Sequence, residues 1–397
     1  MLSHRVGVQN LEAVEDAVQS ALIKALQSWS VNGEPENPSA WLFRVASNEI
    51  VGELRKRECQ RRIVSENADE LVPEFDIQPE GYLPGEISDD LLRMLFVCCD
   101  KGVPVESQLI FALKTLCGFS VQEIALRMFT TEANVYKRLA RARGRLQENA
   151  SDLGELSGVQ HSIRLPAVQK TLYLMFTEGY LSSHTENSIR RELCDEAIRL
   201  AVVLAKHPVG QTPETFALVS LMYLHVARMP ARQDASGGLL LLEEQDRTLW
   251  DRCRINEGLH WLSKSAAGEN FSRYHAEAGI AAEHCLAPSF EETRWERVVE
   301  CYLLLEQVAP SAIHRLNRAV AVAECRGPEA GLSVLDGFAP PTWLLGSYLW
   351  AAVQSDLHRR CGNADNARRY CDAALQSAPT SAVKELLSRR LNYQTKE

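Results

Sequence analysis

Apolar residues recur along this chain with the spacing of α-helices, and prolines stand between the apolar runs. A proline inside a helix costs about 3 kcal/mol, so this placement favours helices joined by turns. No pair of alternating β-branched runs flanks an Asn-Gly or Asp-Gly turn, which would indicate a hairpin. The sequence therefore predicts an all-α fold. Its clearest helical stripe consists of Val14, Val18, Ala21, Leu22, Ala25, Leu26 and Trp29.

The length of 397 residues exceeds what one hydrophobic core organises and predicts two or three domains. The first residues lack the apolar run of a signal peptide, and no stretch approaches the roughly 20 apolar residues that span a bilayer. We therefore expect a cytoplasmic protein. The eleven cysteines include no C-x-x-C pair, so reduced and mostly buried thiols are expected rather than a metal site.

Two segments of weak periodicity divide the chain. The first, IVSENADELVPEFDIQPEGYLPGEIS, is acidic and rich in Pro and Gly, and the second, DLGELSGVQHSIRL, is similar but less marked. We predict a small unit at 1–62, an acidic linker at 63–90, a second small unit at 91–150, a short linker at 151–165 and a large helical block at 166–397. This last segment is called the C-terminal block below.

The end of the C-terminal block carries a repeat-like pattern. GPEAGLSVLDGFAP begins at Gly327 and GNADNARRYCDAALQSAP begins at Gly362, a separation of 35 positions. Each reads as a turn followed by a helix with small residues at its packing seam. The spacing fits helix-turn-helix repeats of the tetratricopeptide kind, about 34 residues long, clearest over 311–379. A plain helical bundle is the alternative.

The second small unit has the layout of a DNA-binding helix-turn-helix. Ser120, followed three residues later by Glu123, forms a capping box before a short helix predicted over 121–128. A turn follows, and Thr131 caps a longer helix running to about Gln147. Helix, tight turn and helix is the arrangement that places the second helix in the major groove.

Successive residues of an α-helix are rotated by 100°, and this rotation divides the second helix into two distinct faces. One face is apolar and packs, while Lys137 and Arg141 point outward with Arg138 on the flank. No acid appears between Glu132 and Glu148, although the whole chain carries a net charge of −9. This pattern favours DNA binding over a merely solvated helix face. The predicted packing face is formed by Val135, Leu139, Ala142 and Leu146.

The first small unit contains another basic helix, NPSAWLFRVASNEIVGELRKRECQRR, which follows a loop predicted over 30–39. An aromatic residue such as Trp41, beside a basic helix, can stack on unpaired bases while the cations follow the backbone. The alternative is that Trp41 belongs to the core.

The C-terminal block contains acids and aromatics that could be mistaken for a catalytic site, in EEQDRTLWD and FTEGY. We expect instead that Asp246, Arg247 and Asp251 form ion pairs on neighbouring helix turns and that Trp250 packs. No metalloprotease, hydrolase, P-loop or dinucleotide-binding motif accompanies them. The sequence predicts neither an enzyme nor a cofactor.

Together these segments resemble the bacterial RNA polymerase sigma factors of the extracytoplasmic-function (ECF) group. EDAVQSALIKALQSW and NPSAWLFRVASNEIVGELRKR are similar to the helices of sigma region 2, and FSVQEIALRMFTTEANVYKRLARARGRL is similar to region 4. LYLMFTEGY, LLLEEQDRTLWDR and LNRAVAVAE resemble the tetratricopeptide-like C-terminal extension of one ECF subgroup. The resemblance covers nearly the whole chain.

The resemblance implies transcription initiation by binding of core RNA polymerase, at the clamp of its largest subunit and its flap, and of promoter DNA. Asp16 and Gln19 would contact the polymerase, and the loop at 30–39 would hold a base flipped out of the −10 element. An unknown protein or small-molecule signal would act on the C-terminal block. Implied −10 contacts are Asn37, Trp41, Arg44, Asn48, Arg55 and Lys56; implied −35 contacts are Thr131, Glu132, Asn134, Lys137, Arg138 and Arg141.

The sequence departs from the family pattern in three ways. The family has further residues before the position of Met1, which form most of the first region 2 helix. Ser20 and Gly52 stand where the family often has acids, and Gly52 also lowers helix propensity by about 1 kcal/mol. The alternative function is a tetratricopeptide-type scaffold or a one-component DNA-binding regulator that does not act through the polymerase.

Overall fold

The regular structure of this chain is helical, as predicted. Within the described residues of the computed structural model, the only β-type pairing is an isolated antiparallel bridge between Gln233 and Leu239. None of the described helices is long and apolar enough to cross a membrane. The described residues are 10–64, 87, 89–148, 158–182, 189–234, 238–268 and 270–391.

The chain forms two compact units. The first contains Met1–Leu116 and Tyr136–Arg164, and the second contains Cys117–Val135 and Leu165–Glu397. The helix-turn-helix segment is therefore divided, with its first helix and its turn in the same unit as the C-terminal block. The helices up to the start of that block are α1 (Leu11–Asn32), α2 (Pro38–Val64), α3 (Asp90–Cys98), α4 (Val105–Thr115), α5 (Val121–Arg127), α6 (Glu132–Glu148) and α7 (Gly158–Tyr180).

Helices α1 and α2 pack along a narrow strip of small and branched residues. Val14, Ala17 and Ala21 of α1 meet Ala46 and Ile50 of α2. The predicted apolar stripe of α1 is thus only partly buried, because α2 covers one edge of it. Other members of the stripe stay exposed at Val18, Leu22 and Leu26.

Two predicted irregular segments differ from the structure. The loop predicted over 30–39 is shorter, since α1 continues to Asn32 and α2 begins at Pro38. Helix α7 begins at Gly158, inside the segment predicted as the second linker, and continues through Pro166. Buried apolar residues on either side of that proline, including Leu165 and Val168, explain why tertiary packing overrides the weak local pattern. Most of the predicted acidic linker at 63–90 lies outside the described residues.

The remaining helices pack mainly against their neighbours in sequence, as in helical repeat proteins. Gly327 joins α13 to α14 and Gly362 joins α16 to α17, both with positive φ (94° and 77°) that favours glycine. The repeat-like pattern thus corresponds to two helix pairs. These helices are α8 (Arg191–Lys206), α9 (Pro213–Ala227), α10 (Arg252–Ser265), α11 (Arg273–Leu286), α12 (Trp295–Val308), α13 (Ala312–Arg326), α14 (Pro328–Leu335), α15 (Thr342–Leu345), α16 (Tyr348–Arg360), α17 (Ala364–Gln376) and α18 (Ser381–Leu391).

Candidate nucleic-acid and polymerase interfaces

Helix α5 begins with the reciprocal cap that the sequence predicts. The Glu123 backbone N–H donates to Ser120 Oγ at 3.1 Å, and the Ser120 backbone N–H donates to Glu123 Oε2 at 2.6 Å. Two backbone donors at the start of the helix are thereby satisfied. The helix ends at Arg127, one residue before the predicted end.

The turn after α5 is tight and contains a residue in the left-handed region. Phe129 has a φ of 50°, which is uncommon for a residue with a side chain. The Thr130 backbone N–H donates to the Ala125 carbonyl at 2.9 Å and closes the turn. Thr131 Oγ1 then accepts from the Asn134 backbone N–H at 3.3 Å, which caps α6 as predicted.

Helix α6 has the two faces that its sequence predicts. The four residues of the predicted packing face are buried, each with at most 6% of its surface exposed. Of the implied −35 contacts, Thr131, Glu132, Lys137 and Arg141 are exposed, whereas Asn134 and Arg138 are half-buried. Exposed small residues, Ala133 and Ala140, lie among them.

Hydrogen bonds and ion pairs distinguish the polar residues of α6. Arg143 lies 3.7 Å from Glu15, and Arg145 pairs with Glu148 at 3.2 Å. Lys137, Arg138 and Arg141 form no ion pair within the described part of the chain, so their charges are available to phosphate. The Asn134 amide donates to Thr130 Oγ1 at 2.7 Å, which fixes its orientation.

The implied −10 contacts lie along α2. Asn37 Oδ1 accepts from the Ala40 backbone N–H at 3.0 Å, so this residue caps the helix. Trp41 is half-buried, and its ring meets Trp29 edge-on at 5.5 Å. Arg44 and Asn48 are exposed, and spacings of three and four place them on one helix face with Trp41. Arg55 and Lys56 continue α2, but their side chains lie outside the described residues.

An ion pair joins α1 to α2 beside this face. Lys24 donates to the Glu49 carboxylate, and this hydrogen bond is the main reason that the pKa of Glu49 is lowered. A hydrogen bond from Ser20 lowers the pKa of Glu49 further. The serine that departs from the family pattern therefore has a structural partner.

The implied polymerase contacts are accessible. Asp16 and Gln19 are both exposed on α1. Next to them lies a shallow apolar groove whose lining includes Val18 and Leu22 of α1 and Phe43 of α2. Val18 and Leu22 are 39% and 47% exposed, so this face of α1 carries apolar surface open to a partner.

Two ion pairs hold α5 against the C-terminal block, within the second unit. Arg127 Nε donates to Glu178 Oε2 at 2.9 Å, and Arg190 Nη1 donates to Glu123 Oε1 at 2.7 Å. Glu178 is fully buried and also accepts from Ser182 Oγ at 2.9 Å. The sequence analysis predicted neither ion pair, because the partners are separated by more than fifty positions.

An aromatic contact joins the same two parts. Phe129, in the turn after α5, has an exposed ring whose centroid lies 4.5 Å from the ring centroid of Trp343 in α15. Aromatic pairs at such distances stabilise a contact by about 0.5–1.5 kcal/mol beyond their buried area. The first helix of the helix-turn-helix and its turn are thus held by the C-terminal block at three places.

Of the ion pairs expected at Asp246, Arg247 and Asp251, the described structure contains one, between Asp251 and Arg254 at 3.6 Å. Asp246 accepts from the Thr248 backbone N–H at 2.8 Å, and Asp251 caps α10 by accepting from the Arg254 backbone N–H at 3.0 Å. The prediction was wrong for Asp246 and Arg247, because local donors of Thr248 compete successfully for the Asp246 carboxylate. Trp250 is buried, as predicted.

The described residues contain no group of three or more His, Cys, Asp or Glu side chains placed to hold a metal ion. Cys98, Cys99 and Cys371 are buried thiols. Burial raises the pKa of Cys117 to about 12, so this thiol stays protonated near neutral pH.

Three protein-family models match the chain. Sigma-70 region 2 matches residues 2–59, Sigma-70 region 4 matches 101–146, and a family of unknown function (DUF6596) matches 164–266. An uncharacterized protein of Rhizobium meliloti is 34% identical over 390 residues, covering 97% of this chain and 90% of its own length. No solved structure matches the chain.

Two named relatives match the N-terminal part. The ECF RNA polymerase sigma factor SigL of Mycobacterium tuberculosis is 30% identical over 141 residues, which are 35% of this chain and 76% of the relative. A probable RNA polymerase sigma factor of Haemophilus influenzae is 25% identical over 152 residues, 35% of this chain and 78% of the relative.

Two sigma regions in this order, on helices with the faces described above, define a DNA-binding transcription initiation factor. The chain belongs to the ECF family of RNA polymerase sigma factors, and it carries a large helical C-terminal extension.

Proposed function

We propose that this sigma factor reads the −35 element with α6 and the −10 element with α2, and that its C-terminal block regulates the first of these contacts. The observation that carries the proposal is the exposed basic face of α6, which has no acid between Glu132 and Glu148. Lys137 and Arg141 are exposed there, and neither pairs with an acid among the described residues. Cations in this state neutralise phosphate, while the small residues between them allow close approach to base edges.

The −10 element is opened by preferential binding of its unpaired form. Trp41 is half-buried beside the exposed Arg44 and Asn48. Such a surface binds an unstacked strand better than duplex DNA, and this difference in affinity drives opening without any hydrolysis. Flipping one base costs a few kcal/mol, which stacking and cation contacts offset.

The polymerase is bound through the face of α1. Asp16 and Gln19 supply polar contacts there, and the exposed Val18, Leu22 and Leu26 supply apolar area. An apolar patch rimmed by polar residues is typical of a protein interface.

The C-terminal block regulates by controlling the position of α5. The pairs Arg127–Glu178 and Arg190–Glu123 fix this helix, and Phe129 anchors the turn that leads into α6. A protein or small molecule that binds the block and changes these contacts would change how the recognition helix is presented to DNA.

The test is transcription in vitro with core polymerase on fragmented genomic DNA, followed by mapping of the 5′ ends. We expect a set of transcripts that share upstream elements and that disappear with Trp41→Ala. Lys137→Ala should reduce the same transcripts, whereas Arg145→Ala should not, because Arg145 is already paired with Glu148. A chain that binds DNA yet starts no transcript with polymerase would instead be a one-component regulator.

A further inference from the structure

The C-terminal block contains one buried and two half-buried arginines near a single buried tryptophan. The guanidinium carbon of Arg247 lies 4.5 Å from the ring centroid of Trp250, and that of Arg228 lies 5.3 Å from the same centroid. Arg228 is 8% exposed and Trp250 is 3% exposed. Arg232 lies nearby, and its guanidinium carbon is 3.7 Å from the ring centroid of Tyr180.

The hydrogen bonds that these guanidinium groups donate all end on neutral acceptors in the described structure. Arg228 reaches Gln245 Oε1 at 3.5 Å, and Arg247 reaches the carbonyls of His284 and Ala287, each at 2.7 Å. Arg232 donates to the Tyr180 carbonyl.

The carboxylates nearest in sequence have other partners. Asp246 and Asp251 are engaged in the caps described above, and Glu244 lies 3.4 Å from Arg389. Glu291 favours the charged form of Arg247 only through longer-range electrostatics, and it is solvent-exposed. Within the described part of the chain these three guanidinium groups form no ion pair, and burying like charges without a counter-ion is costly.

Several polar atoms of this cluster are buried with no hydrogen-bond partner among the residues that the structure describes. They belong to two histidines as well as to the arginines and the tryptophan. A buried polar atom left unpaired costs about 1–3 kcal/mol, and most such atoms in proteins are paired. The atoms are Arg228 Nε, Arg247 Nη2, Trp250 Nε1, His225 Nδ1 and His284 Nδ1.

The surroundings keep both histidines neutral. Burial, and then the charge of Arg228, lowers the pKa of His225 and of His284 to about 3. The nearby thiols are protonated as well, since burial raises the pKa of Cys194 to about 12 and that of Cys285 to about 11. The cluster therefore offers donors and positive charge but no activated nucleophile, which favours binding over catalysis.

We propose that Arg228, Arg247 and Trp250, with His225 and His284 beside them, bind a small oxyanion, the carboxylate or phosphoryl group of a metabolite. Guanidinium groups match the geometry of both anions, and the indole N–H adds a neutral donor. The ligand of the C-terminal block, which we propose to be regulatory, would then be an oxyanion. Binding of this oxyanion does not depend on the proposed promoter contacts. Four of the five residues lie within 164–266, the segment that matches the family of unknown function.

The test uses the full-length chain, exchanged into phosphate-free and carboxylate-free buffer, and follows thermal unfolding. Inorganic phosphate and succinate are titrated separately, with sodium chloride at matched ionic strength as the reference. A ligand that binds the folded state raises the melting temperature in a saturable way. Saturation with phosphate only, or with succinate only, identifies the group, and saturation with both indicates a general oxyanion site.

Arg228→Gln should lower the affinity for the effective anion at least tenfold. The matched control is Arg297→Gln, because Arg297 is 64% exposed and pairs with Glu300 on the surface. No saturable effect of either anion beyond chloride, or equal affinities in wild type and Arg228→Gln, would overturn the proposal.

A second measurement uses the wild-type chain alone, in case Arg228→Gln fails to fold. The imidazole resonances of His225 and His284 are followed by NMR between pH 4 and pH 7, with and without 10 mM of the effective anion, a concentration chosen as about ten times a millimolar dissociation constant. Without anion both imidazoles should remain neutral over most of this range, because their pKa values are about 3. Bound anion should raise these pKa values and bring both titrations into the range. Resonances of His225 and His284 that respond to pH identically with and without the anion contradict binding at this cluster.

Discussion

Arg127 donates two hydrogen bonds to the fully buried carboxylate of Glu178 and a third, at 2.7 Å, to the carbonyl of Leu181. A helix of the DNA-binding motif is therefore tied to the first long helix of the C-terminal block. Arg190 and Glu123 make the opposite pair, with the acid on α5 and the base on the block. The reciprocal arrangement fixes both the position and the direction of α5.

Removing the buried charge of this pair should destabilise the second unit. Glu178→Gln keeps the side-chain shape but leaves the half-buried Arg127 without its counter-ion, and we expect a loss of about 3 kcal/mol in the free energy of unfolding. Urea unfolding followed by circular dichroism measures it. The control is Glu196→Gln, whose surface pair with Arg199 should matter by less than about 1 kcal/mol. Equal effects of the two variants would show that the buried pair has no special role.

Neutralising α6 should change the salt dependence of promoter binding. Lys137→Ala, Arg138→Ala and Arg141→Ala should each weaken −35 binding and lower the slope of log K against log salt by about 1 if the residue contacts one phosphate. The assay is fluorescence anisotropy with polymerase holoenzyme at several salt concentrations. An unchanged slope, footprint and transcript level would exclude these residues from the interface.

The contacts that could be predicted from the sequence are those between residues that lie close together along the chain. The capping box at Ser120 and the packing face of α6 were predicted because they involve residues three or four apart. Arg127 and Glu178 are 51 positions apart in the sequence, and Phe129 and Trp343, which are also in contact, are separated by many more positions. No local pattern specifies such pairs, since they depend on how the block folds back on α5.

The same limit explains the errors. Val18 and Leu22 follow a helical period as well as Val14 does, but burial depends on which neighbour covers them. Arg247 has acids at suitable spacing, yet Asp246 accepts from the Thr248 backbone N–H, and Asp251 caps α10 and pairs with Arg254. Local patterns give the helices and their faces; competition between partners decides the polar contacts.

Two glycines near the −10 face should respond to alanine in opposite directions. A Cβ at Gly52 would meet open space within the described structure, so Gly52→Ala should stabilise the first unit by about 1 kcal/mol through helix propensity. Gly33 has a φ of 76°, and Gly33→Ala should destabilise by about 1 kcal/mol. Urea unfolding of the two variants provides the comparison, and shifts of the same sign would contradict this assignment of backbone roles.

Acid should destabilise the C-terminal block through its buried histidines. The pKa values of His225 and His284 are about 3 in the folded chain, below the ordinary value of 6.5, so the unfolded chain binds more protons between these pH values. The free energy of unfolding should therefore fall as the pH drops from about 6.5 toward 3.

Unfolding titrations at pH 7.5 and pH 5.0 measure this loss. His284→Phe should lose less stability over that interval than the wild type, because one of the two groups no longer titrates. A variant that loses as much as the wild type would mean that other groups, such as the surface carboxylates, dominate the acid response.

The most direct test of the central claim is binding to core RNA polymerase. Purified chain and core enzyme are mixed at moderate salt and separated by size-exclusion chromatography. We predict that the chain co-elutes with the large polymerase subunits and that Leu22→Glu, on the exposed face of α1, abolishes co-elution while the variant remains folded by circular dichroism. A folded wild-type chain that elutes entirely apart from the polymerase would contradict the account.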